Sequence, residues 1–372
     1  MIAGGGTGGH LFPGVAIAEE LRAANPAVAI QFIGTTRGIE ARVLPQLGWD
    51  HRFIEVSGLK TVGVRGAIKG IFRLPKALWQ ARRVVKEFAP DAVIGVGGYA
   101  SGPIVLMARL RGIRTAIIEQ NSIPGLTNKI LGKVVHRIFV GFAVTIPFFR
   151  AKKTELVGTP IRVPMLRKLK AAAEAPARDM DNDAVLNATL RPTRVFICGG
   201  SLGAVKLNEI AANAMIALAA ERPVHVVHQT GKQGLAETQA RYEAAHLAAK
   251  SAATTVECRE FIDDMAAQYA WADVIISRAG ASTVAELAIA GKPTIFVPYP
   301  FAADNHQEQN AKEIVDGGGA LMYRQATLTA EILAQTLTDL VTDAAKRQAM
   351  ARAMRAFAKP GAGAAVAAWC AH

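Results

Sequence analysis

Three acid-base side chains stand at glycine-rich or amide-rich turns of this chain. His10 closes "GGGTGGH" (4–10), Glu119 opens "EQNSIPGLTNK" (119–129), and Glu286 lies inside "SRAGASTVAEL" (277–287). An imidazole has the intrinsic affinity for a proton that a general base needs at neutral pH, so His10 is the first candidate for that role. Glu119, beside Gln120 and Asn121, is the competing carboxylate. Glu286 invites a different use. It lies one turn into a helix whose start, Ala281, Ser282 and Thr283, is small and rich in donors, and there a carboxylate can accept both vicinal hydroxyls of a ribose. A first-turn acid held only by the helix dipole would show the same pattern.

The glycine loops narrow the chemistry. Gly4, Gly6 and Gly9 match the G-x-G-x-x-G of a dinucleotide turn, with Gly5, Gly8 and His10 surplus to it. A P-loop is excluded, because Gly9 is followed by His10 and Leu11 instead of Lys and Ser or Thr. A bound NAD would want an acid about 20 residues on, at the end of the second strand. Gly34, Thr35 and Thr36 stand there, and Glu40 comes several residues too late. The second loop, "GGSLGA" (199–204), follows the strand "VFIC" and precedes a helical stretch. Its glycines allow close approach of a diphosphate, its amides point at the oxygens, the helix start adds positive potential, and Ser201 adds a donor. A tight turn without a ligand would explain one such loop; two, one in each half, favour two half-sites facing a cleft.

These residues need strands and helices to place them. "VAIQFIG" (28–34), "DAVIGVGG" (91–98), "TAIIEQ" (115–120) and "HRIFVGF" (136–142) read as buried parallel strands in the first half. "RVFICGG" (194–200), "VHVVHQTG" (224–231), "TTVECREF" (254–261), "ADVIISRAG" (272–280) and "PTIFVPY" (293–299) repeat the plan in the second. The fold class is α/β, two doubly wound parallel-sheet domains. The joint falls in "VGTPIRVP" (157–164), which gives a first domain of 1–161 with a returning tail from about 345, and a second of 162–344. "KAAAEAPARDMDNDA" just after the joint reads as a surface excursion. Only Met1, Ile2 and Ala3 precede Gly4, so the first strand is trimmed here or starts upstream.

Composition sets the outer bounds. The 372 residues are 51% hydrophobic and 20% charged, a globular make-up long enough for two cores. Cys198, Cys258 and Cys370 show neither metal-site spacing nor a disulfide framework, and suit a reducing compartment. No apolar run reaches the roughly 18–20 residues that span a bilayer, and no signal peptide is visible, so a cytosolic chain is expected. The 43 Lys and Arg against 30 Asp and Glu leave a formal charge of +13, which attracts an anionic partner.

Taken in order, "GGGTGGH", "GVGGYASGP" (95–103), "EQNSIPGLTNK", "VGTPIR" (157–162), "GGSLGA", "EFIDDMAAQYAWAD" (260–273), "SRAGASTVAEL" and "DNHQEQNA" (304–311) resemble the MurG family. These are the transferases that move N-acetylglucosamine from UDP-N-acetylglucosamine to lipid I. The resemblance implies a GT-B fold with the donor held mainly by the second domain and the acceptor by the first. It implies that Ile262 contacts the uracil, Glu286 the ribose, and Ser201 with Arg162 the diphosphate or its surroundings. Thr7, Gly8, Gly9, Asn121 and Gln307 fall near the transferred sugar or the cleft, and Ala281, Ser282, Thr283, Val284 and Ala285 form the helix start beneath the nucleotide. On this reading Gly4, Gly5 and Gly6 bring bare backbone against the acceptor diphosphate. The displacement inverts the anomeric centre in one step, with His10, or alternatively Glu119, as base. No cofactor and no metal is expected: the D-x-D matches at Asp179, Asp181 and Asp183 read as solvated charge.

A basic stretch, "GVRGAIKGIFRLPKALWQARRVVKEF" (63–88), sets Ile68, Ile71, Phe72, Leu78 and Trp79 among Lys69, Arg73 and other cations. Such a helix suits an anionic membrane surface, although a solvated basic helix packed on its own sheet would look alike. The polyprenyl acceptor implied by the resemblance favours the membrane, and hence a peripheral protein at the cytoplasmic face of the inner membrane. A nucleic-acid partner is not expected, since no helix-turn-helix, RRM or zinc pattern accompanies the charge. An enzyme of the same fold with another task, such as a UDP-N-acetylglucosamine 2-epimerase or a glycosyltransferase acting on a small lipid, is the nearest rival.

Overall fold

The computed structural model describes residues 1–56, 63–174, 192–200, 203–245 and 253–371, with backbone alone at 63–74 and 303. They fall into two compact units, Met1–Val163 with Lys359–His372, and Pro164–Ala358.

In the first unit, β1 (Ile2–Gly4), β2 (Gln31–Gly34), β3 (Asp50–Phe53), β4 (Ala92–Gly97), β5 (Arg114–Glu119), β6 (Arg137–Val140) and β7 (Thr154–Leu156) form a parallel sheet. Among the described residues its order is β3-β2-β1-β4-β5-β6-β7. The inner strands are buried on both faces, which is why Val93, Ile94 and Val96 or Ala116, Ile117 and Ile118 run as unbroken apolar segments. β1 has only three residues, yet it pairs with β2 on one side and β4 on the other. The helix Gly8–Ala24 buries Leu11, Val15, Ile17 and Ala18 on this sheet.

The second unit repeats the winding. β8 (Thr193–Cys198), β9 (Val224–Gln229), β10 (Thr255–Arg259), β11 (Val274–Ser277), β12 (Thr294–Phe296) and β13 (Ala320–Met322) are ordered β10-β9-β8-β11-β12-β13. The helix Ala344–Ala356 stays with this unit, burying Met350 and Met354. The chain therefore returns to the first unit from Lys359, later than the expected residue 345. There the helix Ala362–Ala371 lies on Gly8–Ala24, with Gly363 against Glu20 and Arg114 Nη2 donating to Trp369 O at 2.7 Å.

Each sheet reverses its strand order once, between β1 and β4 and between β8 and β11. Loops leaving the carboxyl ends of the strands splay apart at such a reversal and open a crevice. The glycine-rich loop 4–7 lies at the first, and Gly199 and Gly200 with the 278–280 turn at the second.

Candidate active site

At the first reversal His10 sits in the opening turn of Gly8–Ala24, half-buried, its ring over Gly97 at the end of β4. A Cβ on Gly97 would stand 2.6 Å from His10 Cδ2, so only glycine lets the ring lie there. Nδ1 shares a hydrogen bond of 3.3 Å with Thr7 Oγ1, which orients the imidazole. Thr7 is the N-cap residue, but its hydroxyl faces His10 in place of the helix amides, so the first N–H groups at Gly8 and Gly9 have no cap from it.

The loop itself departs from the expectation. Gly4 and Gly5 are buried, and Gly5 N–H donates to Gly97 O at 3.2 Å while Gly6 N–H donates to Glu40 Oε2 at 2.7 Å. The amides of Gly5 and Gly6 are thus committed within the protein and do not face an acceptor diphosphate. What the loop presents outward is the helix start, where Thr7 and Gly9 are exposed. Glu40, set aside in the sequence because it came too late for a ribose, reaches back to the loop instead.

Glu119 is also corrected as a base. It is buried, and its oxygens accept from Asn121 N at 3.0 Å, Asn121 Nδ2 at 3.4 Å, Gly125 N at 3.1 Å and Asn128 Nδ2 at 2.9 Å. With four donors on one carboxylate, its lone pairs shape the 119–128 turn and so hold Asn121, which is half-buried. Arg162 is likewise engaged: Nε and Nη2 donate to Glu19 Oε1 at 3.0 and 2.9 Å, and Val163 N–H takes Oε2 at 2.7 Å. The guanidinium expected at the diphosphate or its surroundings is thus anchored on Glu19 within the first unit.

At the second reversal the helix Ala281–Ala290 begins under Gly280. Ala281 and Val284 are buried, Thr283 and Ala285 half-buried, and Ser282 Oγ is buried with no hydrogen-bond partner. An orphan hydroxyl at a helix start is a donor waiting for a ligand oxygen. One turn on, Glu286 Oε2 accepts from Tyr269 Oη–H at 3.0 Å. Burial pushes the Glu286 carboxyl up to about 7, against the downward pull of that hydrogen bond. Tyr269 is fully buried and packs edge-on against Phe196. Sequence reading missed it, although "AQYAWAD" places it on the neighbouring helix Met265–Trp271.

Ile262 is 3% exposed, so its side chain is closed to a base and its main chain is what it can offer. Gln307 Oε1 accepts Tyr299 N–H at 2.9 Å, closing the loop from 299 to 307. Ser201 lies outside the described residues, as do Asp179, Asp181 and Asp183. Arg278, at the end of β11, is a second residue the sequence did not single out. It is buried and donates to Val297 O at 2.8 Å, Pro298 O at 3.0 Å and Gln325 Oε1 at 2.6 Å. All three acceptors are neutral, and burial pulls its guanidinium down to about 10.

In the helix Gly63–Phe88, Trp79 is 62% exposed and Leu78 half-buried. Ile68, Lys69, Ile71, Phe72 and Arg73 lie where the backbone alone is described. No helix among the described residues is long and apolar enough to cross a membrane.

Two parallel sheets wound in the dinucleotide order make up the GT-B fold of glycosyltransferases and of enzymes that share it. Residues 1–140 match the glycosyltransferase family 28 N-terminal domain and residues 194–364 its C-terminal domain. The chain belongs to that family, and within it to the MurG transferases. It is 43% identical, over 97% of its length and 89% of the relative's, to a protein of Anaeromyxobacter sp. (strain K). That relative is the UDP-N-acetylglucosamine–N-acetylmuramyl-(pentapeptide) pyrophosphoryl-undecaprenol N-acetylglucosamine transferase. The transferase of the same name from Myxococcus xanthus (strain DK1622) is 42% identical over the same shares of the two chains. The crystal structure of Acinetobacter baumannii MurG superposes with a TM-score of 0.79 at 34% identity, covering 100% of this chain and 98% of that one. A UDP-GlcNAc 2-epimerase from Neisseria meningitidis shares the fold alone, at 13% identity and a TM-score of 0.68 over 98% of this chain and 97% of its own.

Proposed function

We propose that the chain transfers N-acetylglucosamine from UDP-N-acetylglucosamine to the 4-hydroxyl of N-acetylmuramic acid in undecaprenyl-diphosphate-linked muramoyl pentapeptide. This is the conversion of lipid I to lipid II in peptidoglycan synthesis. The observation that carries the donor half is the Ala281–Ala290 helix start, where the unpartnered Ser282 hydroxyl and the desolvated Glu286 carboxylate lie one turn apart. A nucleoside diphosphate satisfies both: an anionic oxygen takes the hydroxyl and helix dipole, and the ribose diol gives the carboxylate two donors. Ile262 offers main-chain N–H and C=O to the uracil, and Gln307, with its oxygen already held by Tyr299, offers its amide N–H2 to the sugar.

On the first unit, His10 takes the proton from the acceptor hydroxyl as the bond to the anomeric carbon forms and the UDP bond breaks. Thr7 holds the imidazole, and Asn121, set by the Glu119 turn, borders the reacting sugar. In the second unit, the start of the Ala281–Ala290 helix and the buried Arg278 supply the positive potential that a departing diphosphate requires. The acceptor's polyprenyl tail keeps the enzyme peripheral, on the cytoplasmic face of the inner membrane, with the exposed face of Gly63–Phe88 toward anionic lipid.

Incubating the purified protein with UDP-N-acetylglucosamine and a lipid I analogue tests this directly. A β-1,4-linked disaccharide product is expected, formed only when the acceptor is present. Epimerised UDP-sugar with no acceptor consumed would place the chain with the epimerases that share its fold.

A further inference from the structure

Glu40 is completely buried, and its hydrogen bonds all come from neutral donors. Oε2 accepts Gly6 N–H at 2.7 Å; Oε1 accepts Thr35 N–H at 2.9 Å and the Thr35 hydroxyl at 3.0 Å. Three glycines make room for it. A Cβ on Gly5 or Gly34 would come within 2.5 Å of the Glu40 side chain, and one on Gly38 would collide with Oε2. The ends of β1 and β2 and the start of the helix Glu40–Gln46 therefore converge on one carboxylate. Burying a carboxylate in this way is costly, and a fold that needed only a tight turn could fill the space with an apolar side chain. A dinucleotide-binding fold aims an acid near the end of its second strand outward at a ribose. Here the acid is turned inward, and its ligand is the glycine loop.

We propose that Glu40 is a positioning residue of the transfer reaction, fixing the glycine loop and, through it, His10. The path is short. Glu40 pins Gly6; the next residue, Thr7, accepts His10 N–H on its carbonyl at 3.2 Å and meets His10 Nδ1 with its hydroxyl at 3.3 Å. Loss of the Glu40 anchor releases Gly6 and lets Thr7 and the imidazole drift from the end of β4. Sub-ångström displacement of a base is enough to slow a transfer without touching the donor. This inference rests on the reading of His10 as the base.

Glu40→Gln keeps the shape but offers one acceptor oxygen where two are used, so an amide N–H2 must face either Gly6 or Thr35 donors. Gly38→Ala keeps the carboxylate and crowds it from the far side, and it carries the same test if Glu40→Gln does not fold. For each variant, UDP-N-acetylglucosamine affinity is measured by calorimetry, kcat with a lipid I analogue, and the thermal midpoint alongside. The expected result is a fall in kcat of about 10- to 100-fold with donor affinity within about twofold of wild type. Combined with His10→Ala, Glu40→Gln should cost less than about threefold more, because residues acting through one group are not additive. Wild-type kcat in Glu40→Gln, or losses that multiply in the double variant, would overturn the proposal while an inactive His10→Ala leaves the base in place. Normal turnover in His10→Ala alone would overturn the base reading, and with it the route from Glu40.

Discussion

At the scale of single residues, the two candidate bases are separated by burial and position. Glu119 is buried with its oxygens on four donors, whereas His10 is half-buried in the first turn of its helix, with Nδ1 on Thr7 and its ring over Gly97. His10→Ala is therefore expected to lower turnover by roughly two to four orders of magnitude with donor affinity nearly intact, as loss of a general base does. Single-turnover rates beside calorimetric titration of the donor check this; normal turnover would return His10 to a structural role. Glu286 makes a second residue-level prediction. Its carboxyl is raised to about 7, so below that pH it carries a proton and loses an acceptor for the ribose diol. UDP-N-acetylglucosamine affinity should thus rise with pH up to about 7 and level off above it. Glu286→Gln should remove the pH dependence and weaken binding at pH 8 by a few kcal/mol. Tyr269→Phe, which deletes the donor to Oε2, should move the midpoint to higher pH. The free enzyme has the opposite trend: a raised acid favours the folded state while protonated, so that part of its stability declines as pH climbs from the carboxylate range through 7.

At the scale of elements, strands buried on both faces announced themselves in the sequence, as did the edge strand β10 within "TTVECREF", whereas three other edge strands did not. Val93 to Val96 and Val274 to Ile276 are continuous apolar runs because sheet and helices cover both sides. β3 ("DHRF") and β7 ("TEL") lie at the two edges of the first sheet and β13 ("ALM") at one edge of the second, short and only partly buried, with no run or alternation long enough to read. The glycine loops were legible as loops, but the partners of their amides were not, because Glu40 returns from 34 residues away and no local spacing encodes that. The partner of Arg162 was hidden for the same reason, Glu19 lying on a distant helix. A buried histidine on β9 gives a prediction at this level. His228 is fully buried between Tyr242 Oη at 3.1 Å and Asn208 Oδ1 at 3.3 Å, and burial lowers it to about 3. Its folded-state value lies below the ordinary histidine range, so stability is complete above about 6.5 and is lost as pH falls toward 3. From the two values, the loss is about 2 kcal/mol at pH 5. Urea unfolding of the wild type at pH 7.5 and pH 5 measures it, and His228→Gln should flatten the difference.

At the scale of the whole molecule, the +13 charge and one exposed helix face bear on where the enzyme works. In Gly63–Phe88, Ala77, Ala81, Val84 and Val85 are buried on the sheet, while Trp79, Arg82, Arg83 and Lys86 recur at helical spacing on the exposed side. Arg83 is partly spoken for by Glu87 at 2.7 Å, which leaves Arg82 and Lys86 as the cations of that stripe best placed to meet lipid phosphates. A Trp ring suits the headgroup boundary, and each basic side chain near an anionic surface contributes about 1 kcal/mol. The protein should therefore co-sediment with vesicles containing anionic lipid, bind zwitterionic vesicles weakly, and dissociate as salt shortens the Debye length below about 8 Å. Replacing Arg82 and Lys86 with Glu should weaken binding by at least about tenfold and Trp79→Ala should weaken it further, with transfer to a short-chain, water-soluble acceptor unchanged. Salt-independent binding that survives all three changes would move the membrane contact off this face, and a parallel loss of transfer to the soluble acceptor would make the helix part of the acceptor site itself.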